Sequence, residues 1–573
     1  MVFPRRRYRN GGEGDTVHLE CIRVLGRVNN CGYLSAATDV ERDGSGEIEI
    51  MILRFEFLIR TTTVRGLIVV AMLLVNSVTM ASDDLSKPIK SSSDGHFLLQ
   101  SDGQPFFWLG DTALEIFTDL TLEEATAYFE SRAAKGFNVV MAVATGLAEV
   151  RDINGPNRYG EKPFLNDDVT SPNERYWKNV DRVIKSAAEK GIRIALLPTW
   201  GQATVTRGGE HVPFNEDTAT AYGKWIANRY RNSGITWVMG GDTNPIWLSA
   251  SSTRKLPGER HLEDYTAIYD AMALAIVSVL GESAFITYYP ACCSWPGTAQ
   301  PRSSLYLGHK TWLGMNMIQS SHFNDPTYFN NKAGFIFGWR GPFNYEPVRE
   351  EYDSYPTRPI LDGEPAAEDI PIDTGALCLD PREYESAPRY TDYDIRLRAY
   401  HSVFSGAAGA EYTNNNYSWY FYDPSRHSPS ICGTRSPWSV ALNSVGADQM
   451  HHLKDLMLSR PYLTRIPDQS IVKSDAGEGA VHISATRAKS GEYMMVYLPT
   501  GQSIAIDMNG LTGPYATAWW YDPRTGEANA VRGTFPTNRI TTFVPPTSGT
   551  ENDWILVVDN AAKGFPPPGR PLQ

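Results

Sequence analysis

The chain has 573 residues, of which 42% are apolar and 21% charged, a composition typical of globular proteins and not of disordered or fibrous ones. Its net charge of −12 argues against a protein that binds the phosphate backbone of nucleic acids, which would carry a basic surface. The four cysteines that follow residue 81 lack the spacing of metal ligands, so we predict no metal site and no cofactor.

One long apolar run, residues 66–78, lies near the start of the chain. It is shorter than the roughly 20 residues that cross a bilayer, and it stands between basic residues and a small-residue stretch that precedes Ser82. We therefore predict a signal peptide over residues 51–81, beginning at Met51, and a secreted or periplasmic protein with no membrane span in its mature form. A buried helix or an uncleaved anchor is the alternative. Residues 1–50 are predicted to be an upstream extension that the native protein lacks.

From Pro105 onward, short apolar runs alternate with helical patterns, as in chains whose parallel strands are joined by helices. The capping box Thr121–Glu124 opens one of these helices, and Gly136 ends it. The candidate strands are Phe106–Gly110, Asn138–Ala144, Ile192–Pro198, Ile235–Met239, Ala284–Tyr289, Met315–Gln319, Pro359–Leu361 and Ala407–Tyr412. We predict a (β/α)8 TIM barrel over residues 82–459, with a doubly wound open sheet as the alternative.

After Arg460 the pattern changes to short strands separated by Gly, Pro and Asn turns. The predicted strands are Ala480–Ala485, Tyr493–Leu498, Ser503–Met508, Thr517–Tyr521 and Trp554–Val558. We predict a C-terminal β-sandwich over residues 460–562, followed by a flexible tail over 563–573. Strand alternation predicts that Trp519 and Trp520 point to opposite faces, one into this domain and one onto the barrel.

Active residues of such barrels lie at the C-terminal ends of the strands, and two carboxylates stand at these positions. Asp242 follows the fourth predicted strand and a pair of glycines, and Glu364 follows the seventh within Asp362–Pro365. Hydrolysis of a glycoside needs one acid to protonate the leaving oxygen and one carboxylate to meet the developing positive charge. We predict that Asp242 and Glu364 form such a pair. The alternative is that the aspartate is a cap and the glutamate structural.

Further side chains at the predicted strand ends are candidates for binding a sugar, and they are Asp111, Trp200, Tyr289, Gln319, His322 and Glu411. Asp111, Gln319 and His322 carry groups that hydrogen-bond to hydroxyls, and Glu411 ends the eighth strand, which should line the pocket. The rings of Trp200 and Tyr289 can stack on a sugar face. Structural roles are the alternative: a cap at the helix entry for Asp111, and closure of the barrel top for the two rings.

The sequence resembles the apiosidase-like glycoside hydrolases from about Phe97 to Asn560. The stretches that carry the resemblance, all in the same order, are Phe107–Thr112, Ala133–Asn138, Leu197–Trp200, Trp237–Asp242, Met317–Ser320, Leu361–Pro365 and Trp519–Gly526. Members of this family join a barrel to a small C-terminal domain once labelled collagen-binding. The resemblance implies that Asp242 is the acid/base and Glu364 the nucleophile of a retaining enzyme.

The resemblance also implies a substrate: a plant or algal polysaccharide or oligosaccharide from which a terminal sugar, favoured as an apiose-like furanoside, is removed. One departure leaves the sugar open, because Glu411–Asn416 stands where a histidine-rich stretch would be expected after the eighth strand. The alternatives are another exo-glycosidase, such as an arabinofuranosidase, and a non-catalytic carbohydrate-binding or adhesion protein. Two opposed carboxylates favour the enzyme, since a binding protein does not need them.

Overall fold

The computed structural model describes residues 84–147, 153–204, 213–248, 262–291, 293–294, 302–320, 322, 324, 336–337, 341–372, 385–427 and 433–572. The signal peptide predicted over residues 51–81 and the extension predicted over residues 1–50 lie outside these residues.

Within the described part of the chain, eight parallel strands build the first domain. They are β1 (Trp108–Thr112), β2 (Val139–Val143), β3 (Arg193–Leu197), β4 (Thr236–Gly240), β5 (Phe285–Tyr289), β6 (Asn316–Ile318), β7 (Ile360–Asp362) and β8 (Gly409–Tyr412). Each strand overlaps the apolar run from which it was predicted. Short two- and three-residue strands accompany them at Lys90–Ser91, Leu98–Leu99, Pro105–Phe106, Ile246–Leu248, Leu262–Asp264, Cys293–Ser294 and Ile336–Phe337.

The eight strands close into a barrel. Ladder hydrogen bonds join them in the order β5-β4-β3-β2-β1-β8, and β6 pairs with β7. The backbone N–H of Gly314, just before β6, donates to the Ile286 carbonyl of β5 at 2.8 Å, and that of Ala408, just before β8, donates to the Ile360 carbonyl of β7 at 2.8 Å. These bonds close both gaps, so the predicted TIM barrel is confirmed and the open sheet is excluded.

A helix follows each strand. The helices are α1 (Leu122–Ala134), α2 (Glu174–Glu189), α3 (Glu216–Arg229), α4 (Thr266–Leu280), α5 (Ser303–Leu307), α6 (Tyr345–Tyr352), α7 (Asp392–Phe404) and α8 (Val445–Leu458), with single turns at Ile116–Asp119 and Trp438–Ala441. The predicted capping box is present: the Thr121 hydroxyl accepts from the Glu124 N–H, and the Glu124 carboxylate accepts from the Thr121 N–H.

The α4 region is the most apolar helix of the barrel wall. By length and composition, Thr266–Ser283 could cross a membrane, and it is the one such helix among the residues described above. Core helices pass the same test, and Tyr269, Met272 and Ile276 of α4 are buried.

Strand alternation divides the barrel core into two layers, one between the strands and the helices and one inside the barrel. Residues such as Leu109 of β1 and Val140 of β2 pack outward against the helices. Their neighbours Trp108, Met141 and Val238 of β1, β2 and β4 fill the barrel interior. Within a strand, a side chain therefore faces the barrel interior only if it lies on the same side as the second set.

The C-terminal domain consists of two antiparallel sheets. Its strands are β9 (Arg465–Pro467), β10 (Ser484–Ala488), β11 (Tyr493–Leu498), β12 (Ile504–Asp507), β13 (Tyr515–Tyr521), β14 (Ala528–Pro536), β15 (Ile540–Phe543) and β16 (Trp554–Asn560). One sheet has the order β9-β10-β11-β16-β13-β14, and β12 pairs with β15 in the other. Ile504, Trp520 and Trp554 lie in the core between them, which confirms the predicted β-sandwich. Trp519 packs instead against the barrel core, as the alternation predicts.

One predicted strand of this domain is displaced along the chain. Residues Gly479–Val481 form a 3-10 turn, and β10 begins at Ser484 instead of Ala480. Gly479 has a φ of +59°, a left-handed conformation that interrupts an extended strand. In the predicted tail, the Phe565 ring lies 5.0 Å from the Arg460 guanidinium.

Two buried ion pairs hold the sandwich in place, one with helix α7 of the barrel and one with Arg460, the second residue after α8. Arg396 of α7 donates to both carboxylate oxygens of Asp553, at 3.0 and 2.9 Å. Arg460 donates to both oxygens of Asp559 in β16, each at 2.8 Å. All four side chains are almost fully buried. The C-terminal domain is thus joined to the barrel by buried ion pairs. These charges leave water only when the two domains are folded against each other.

Candidate active site

Asp242 lies at the mouth of the barrel, at the end of a strained turn. Gly240, Gly241 and Asp242 have φ values of +81°, +114° and +47°, so three successive residues adopt the left-handed region. A Cβ on Gly240 would lie 2.6 Å from the Tyr289 carbonyl oxygen, and one on Gly241 would lie 2.5 Å from a ring carbon of Trp200. The two glycines are therefore required by space and by conformation. A non-glycine residue held in this region is typical of functional sites.

The turn that carries Asp242 is fixed by hydrogen bonds to β5 and the loop that follows it. The Gly241 N–H donates to the Tyr289 carbonyl at 3.0 Å. The Tyr288 hydroxyl donates to the Thr243 carbonyl at 2.8 Å, and the Asn244 amide oxygen accepts from the Ala291 N–H at 3.1 Å. Asp242 itself is half-buried. Asp242 is consequently held on a rigid turn at the barrel mouth and is partly exposed.

Glu364 follows β7 and is 5% exposed. Gly363 precedes it, and a side chain there would overlap Met317 of β6, so the glycine lets the two strand ends approach closely. The Glu364 Oε1 atom lies 2.7 Å from Nε2 of His322, which is itself 4% exposed. The structure thus brings His322, predicted as a partner of sugar hydroxyls, into direct contact with the predicted nucleophile.

Trp200 and Tyr289 meet at the barrel mouth beside Asp242. Their ring centroids are 5.9 Å apart at an angle of 87°, and both rings are buried in the interior layer. The indole N–H of Trp200 is buried and has no hydrogen-bond partner among the described residues. The amide oxygen of Gln319, the residue that follows β6, is also buried and also has no hydrogen-bond partner among the described residues. Buried polar atoms of this kind are normally satisfied, so these two can be satisfied by a polar ligand.

Glu411 of β8 points into the barrel interior. Its two oxygens accept from the Trp108 indole N–H at 2.7 Å and the Thr112 hydroxyl at 3.0 Å. Gly110 of β1 lies directly opposite, and a Cβ there would overlap the Glu411 carboxyl group. Burial raises the pKa of Glu411 to about 8, and the neighbouring charge of Asp111 acts in the same direction. Burial therefore favours the neutral form of Glu411 at pH 7.

Replacement of Glu411 with glutamine tests this protonation state. Because the pKa of Glu411 rises from an ordinary 4.5 to about 8 on folding, its contribution to stability is complete below about pH 4.5 and is lost as the pH rises to about 8. We expect wild type to lose roughly 2–4 kcal/mol of unfolding free energy relative to Glu411→Gln between pH 5 and pH 9, at about 1.4 kcal/mol per pKa unit. Urea unfolding at both pH values measures this difference. Parallel pH dependence in the two proteins would mean that Glu411 is ionised.

Asp111 does not join the other predicted site residues. It shares the parity of Leu109 and points outward from β1, toward the helix layer. Its carboxylate accepts from the Tyr128 hydroxyl at 2.7 Å, from Arg132 at 3.3 Å and from the Tyr417 hydroxyl at 3.2 Å, all in full burial. Burial raises its pKa to about 6 against the opposing effect of Arg132. We therefore revise our prediction for Asp111 from sugar binding to anchoring α1 and the loop after β8.

The asparagines after β8 are also structural. Asn414 donates to the Tyr412 hydroxyl and to Ser444 Oγ, and Asn416 donates to Asp369, at 3.0 to 3.1 Å. These bonds hold the loop that carries Trp419, a residue that the sequence analysis did not single out. Trp419 is partly exposed, packs against the interior layer and lies edge-on to the His322 ring, with centroids 5.2 Å apart. A rigid, partly exposed ring next to Glu364 is a candidate surface for stacking on a sugar.

Six of the eight predicted site residues thus form two groups at one end of the barrel. One group lies at the ends of β3–β5 and consists of Trp200, Asp242 and Tyr289. The other lies at the ends of β6 and β7 and consists of Gln319, His322 and Glu364. Glu411 belongs to β8 and points into the barrel interior. Because all eight strands are parallel, these ends share one mouth. No cluster of three or more His, Cys, Asp or Glu side chains suited to a metal ion occurs in the described portions of the chain.

The sequence matches two family descriptions. Residues 92–464 match the family described as "Apiosidase-like, catalytic domain". Residues 466–559 match the family described as "Putative collagen-binding domain of a collagenase". A comparison with curated proteins gave no match.

Two solved structures resemble this chain over most of its length. A protein described as a glycoside hydrolase is 29% identical, with a TM-score of 0.71, over 84% of this chain and 98% of its own. A glycoside hydrolase of family 5 from Bacteroides vulgatus is 28% identical, with a TM-score of 0.71, over 84% of this chain and 95% of its own.

Proposed function

Since the chain belongs to the apiosidase-like family of glycoside hydrolases, we propose that it is a retaining enzyme that removes a terminal sugar from a plant or algal polysaccharide. An apiose-like furanoside is the favoured sugar. The observation that carries the proposal is the position of Asp242 and Glu364, which follow β4 and β7 at the same barrel mouth. Each stands directly after a glycine, Gly241 packed against the Trp200 ring and Gly363 against the Met317 side chain.

In the proposed mechanism, Asp242 is the acid/base and Glu364 the nucleophile. Protonated Asp242 gives its proton to the glycosidic oxygen while Glu364 attacks the anomeric carbon, so that one carbon–oxygen bond breaks and another forms. The ionised Asp242 then takes a proton from water, whose oxygen displaces Glu364 and releases the sugar. Retention requires a carboxyl separation of about 5–5.5 Å, whereas inversion requires about 6.5–9.5 Å.

The surrounding side chains suit a polar, ring-shaped ligand. The buried Trp200 indole N–H can donate to a sugar hydroxyl, and the buried Gln319 amide oxygen can accept from one. The partly exposed Trp419 ring lies next to the His322–Glu364 pair, where it can cover a sugar face. These contacts support carbohydrate as the substrate class and leave the individual sugar to experiment.

Product analysis of the wild-type enzyme tests the proposal. Complex pectins, algal glycans and nitrophenyl furanosides are incubated with the protein, and released sugars are identified by chromatography and mass spectrometry. We expect a single terminal sugar, released first as the anomer with the substrate's configuration by proton NMR. Release of arabinose instead of apiose would redirect the proposal to another exo-glycosidase. Binding without release from every substrate would replace it with a carbohydrate-binding or adhesion protein.

We also propose that the enzyme is exported, on the evidence of the apolar run at residues 66–78. N-terminal sequencing of the protein recovered from the native host tests this proposal. We expect a mature terminus close to Ser82, and any peptide from residues 1–50 would contradict the predicted start at Met51.

A further inference from the structure

His322 makes contact with Glu364 through one ring nitrogen and with the following turn through the other. Nε2 lies 2.7 Å from Glu364 Oε1. Nδ1 lies 3.1 Å from the backbone nitrogen of Ala367, whose N–H donates to it. The ring therefore spans the turn 364–367, with the nucleophile's side chain at one end and a backbone amide at the other.

These two contacts determine which nitrogen carries the proton. An N–H donor at Nδ1 requires that nitrogen to be an acceptor, so the proton of a neutral ring lies on Nε2. The ring consequently donates to Glu364. A carboxylate that receives a hydrogen bond is favoured in its charged form, which is the form a nucleophile needs.

The surroundings of His322 keep the ring neutral and in place. Burial, and to a lesser extent the positive charge of Arg398 of α7, lower the pKa of His322 to about 3. Arg398 is itself held over the Tyr390 ring at 4.6 Å, and the Tyr390 hydroxyl donates to the His322 carbonyl at 2.7 Å. Trp419 contacts the ring edge-on from the loop after β8. The ring therefore has little freedom to rotate or to accept a second proton.

We propose that His322 is a positioning residue, a neutral Nε2–H donor that fixes the Glu364 carboxylate for attack by clamping it to its own turn. The inference rests on the proposed function of Glu364 as nucleophile. It differs from the sequence prediction, in which His322 bound a sugar hydroxyl directly.

Two variants separate this role from a structural one. His322→Phe keeps a ring but loses both hydrogen bonds, whereas His322→Gln retains an N–H donor that can reach Glu364. We expect His322→Phe to lower kcat/KM about 100-fold and to move the acidic limb of its pH profile upward, because the buried Glu364 loses a donor. His322→Gln should recover much of the rate and keep the limb close to wild type. A limb that stays unchanged in His322→Phe would overturn the proposal.

His401 supplies a matched control. It is another fully buried histidine whose pKa burial lowers to about 3, but its Nε2 bonds to the His482 carbonyl of the C-terminal domain, away from Glu364. We expect His401→Gln to reduce thermal stability without moving the pH profile. A shift of the profile in this variant as well would identify the effect in His322→Phe as general loosening of the fold, against the proposal.

A spectroscopic measurement decides the question without a substrate. In protein labelled with 15N-histidine, the ring signals of His322, assigned by their loss in His322→Phe, should report a neutral Nε2–H tautomer from pH 4 to pH 8. An Nδ1–H tautomer, or protonation near the ordinary pKa of about 6.5, would overturn the proposal. If wild type hydrolyses no glycoside but shows the Nε2–H tautomer, the proposed function fails and the clamp on Glu364 stands.

Discussion

Replacement of Glu364 with alanine is expected to lower kcat/KM at least about a thousandfold, because the proposed mechanism forms its covalent intermediate on this carboxylate. The fold should survive, because the loss of the acceptor for the His322 N–H lowers the free energy of unfolding by only roughly 1–3 kcal/mol. Initial rates on the best substrate measure the first effect, and denaturant unfolding measures the second.

Glu368→Gln is the matched control for this variant. Glu368 lies four residues further along and is also buried, but it accepts from the Tyr412 hydroxyl at 2.5 Å and from the Gly446 N–H at 3.1 Å, outside the barrel interior. Its replacement should leave kcat within about fivefold of wild type. Equal losses in Glu364→Ala and Glu368→Gln would show that any buried carboxylate in this turn matters, and the nucleophile would have to be sought elsewhere.

The acid/base role proposed for Asp242 predicts a different kinetic pattern. In Asp242→Asn, departure of a poor leaving group is no longer assisted by a proton, whereas nitrophenolate needs little assistance. We therefore expect a loss of about 10²–10⁴-fold on natural linkages and a much smaller effect on the nitrophenyl glycoside's first step. A burst of nitrophenol followed by slow turnover would mark the impaired second step. Equal losses on both substrates would assign Asp242 a structural role.

Replacement of Arg396 with alanine is expected to destabilise the protein by about 3–5 kcal/mol, the largest stability effect of the variants considered. Arg396 is 2% exposed and Asp553 is fully buried, so the variant leaves an unpaired carboxylate at the boundary between barrel and sandwich. Burial already raises the pKa of Asp553 in spite of the opposing effect of Arg396. Without Arg396, its positive charge no longer offsets the free-energy cost of keeping the Asp553 carboxylate out of water.

Calorimetry and denaturant unfolding measure the loss of stability in Arg396→Ala, and two further variants serve as its controls. Lys185→Ala breaks an exposed pair with Glu189 and should change stability by less than about 1 kcal/mol. Arg396→Met combined with Asp553→Leu removes both charges and should recover most of the loss. We expect one cooperative transition in wild type, because the pair joins the two domains. Two separate transitions, or a loss below about 1 kcal/mol in Arg396→Ala, would contradict a coupled unit.

The eight barrel strands and the place of Asp242 and Glu364 just after two of them were accessible from the sequence because each depends on local signals. Apolar runs marked all eight barrel strands, and the position of Glu364 directly after such a run placed it at the mouth. The side of the strand to which a side chain points was harder to predict from the sequence. Asp111 directly follows Gly110 in β1 and therefore points to the opposite side of the strand, toward the helix layer. The apolar run Phe106–Gly110 gave no indication of which side of the strand faces the barrel interior.

Contacts between distant parts of the chain could not be read from the sequence. The His322–Glu364 clamp depends on how β6 and β7 lie against each other, and Trp419 reaches it from the loop after β8. In the sandwich, β14 (Ala528–Pro536) was missed because its residues are mostly exposed, and the two that pack against the core, Val531 and Phe535, are only partly buried. Edge strands of this kind leave little trace in a hydrophobic pattern.

Gly110 and Glu411 share one volume inside the barrel, since a side chain at position 110 would occupy the space of the carboxyl group opposite. The two positions therefore cannot be varied independently. A larger residue at 110 demands a shorter one at 411, and shortening 411 alone opens a void beside Trp108 and Thr112. In any attempt to evolve the substrate range of this enzyme, the pair has to be randomised together, and a library that changes one position at a time will discard solutions that exist only as doubles.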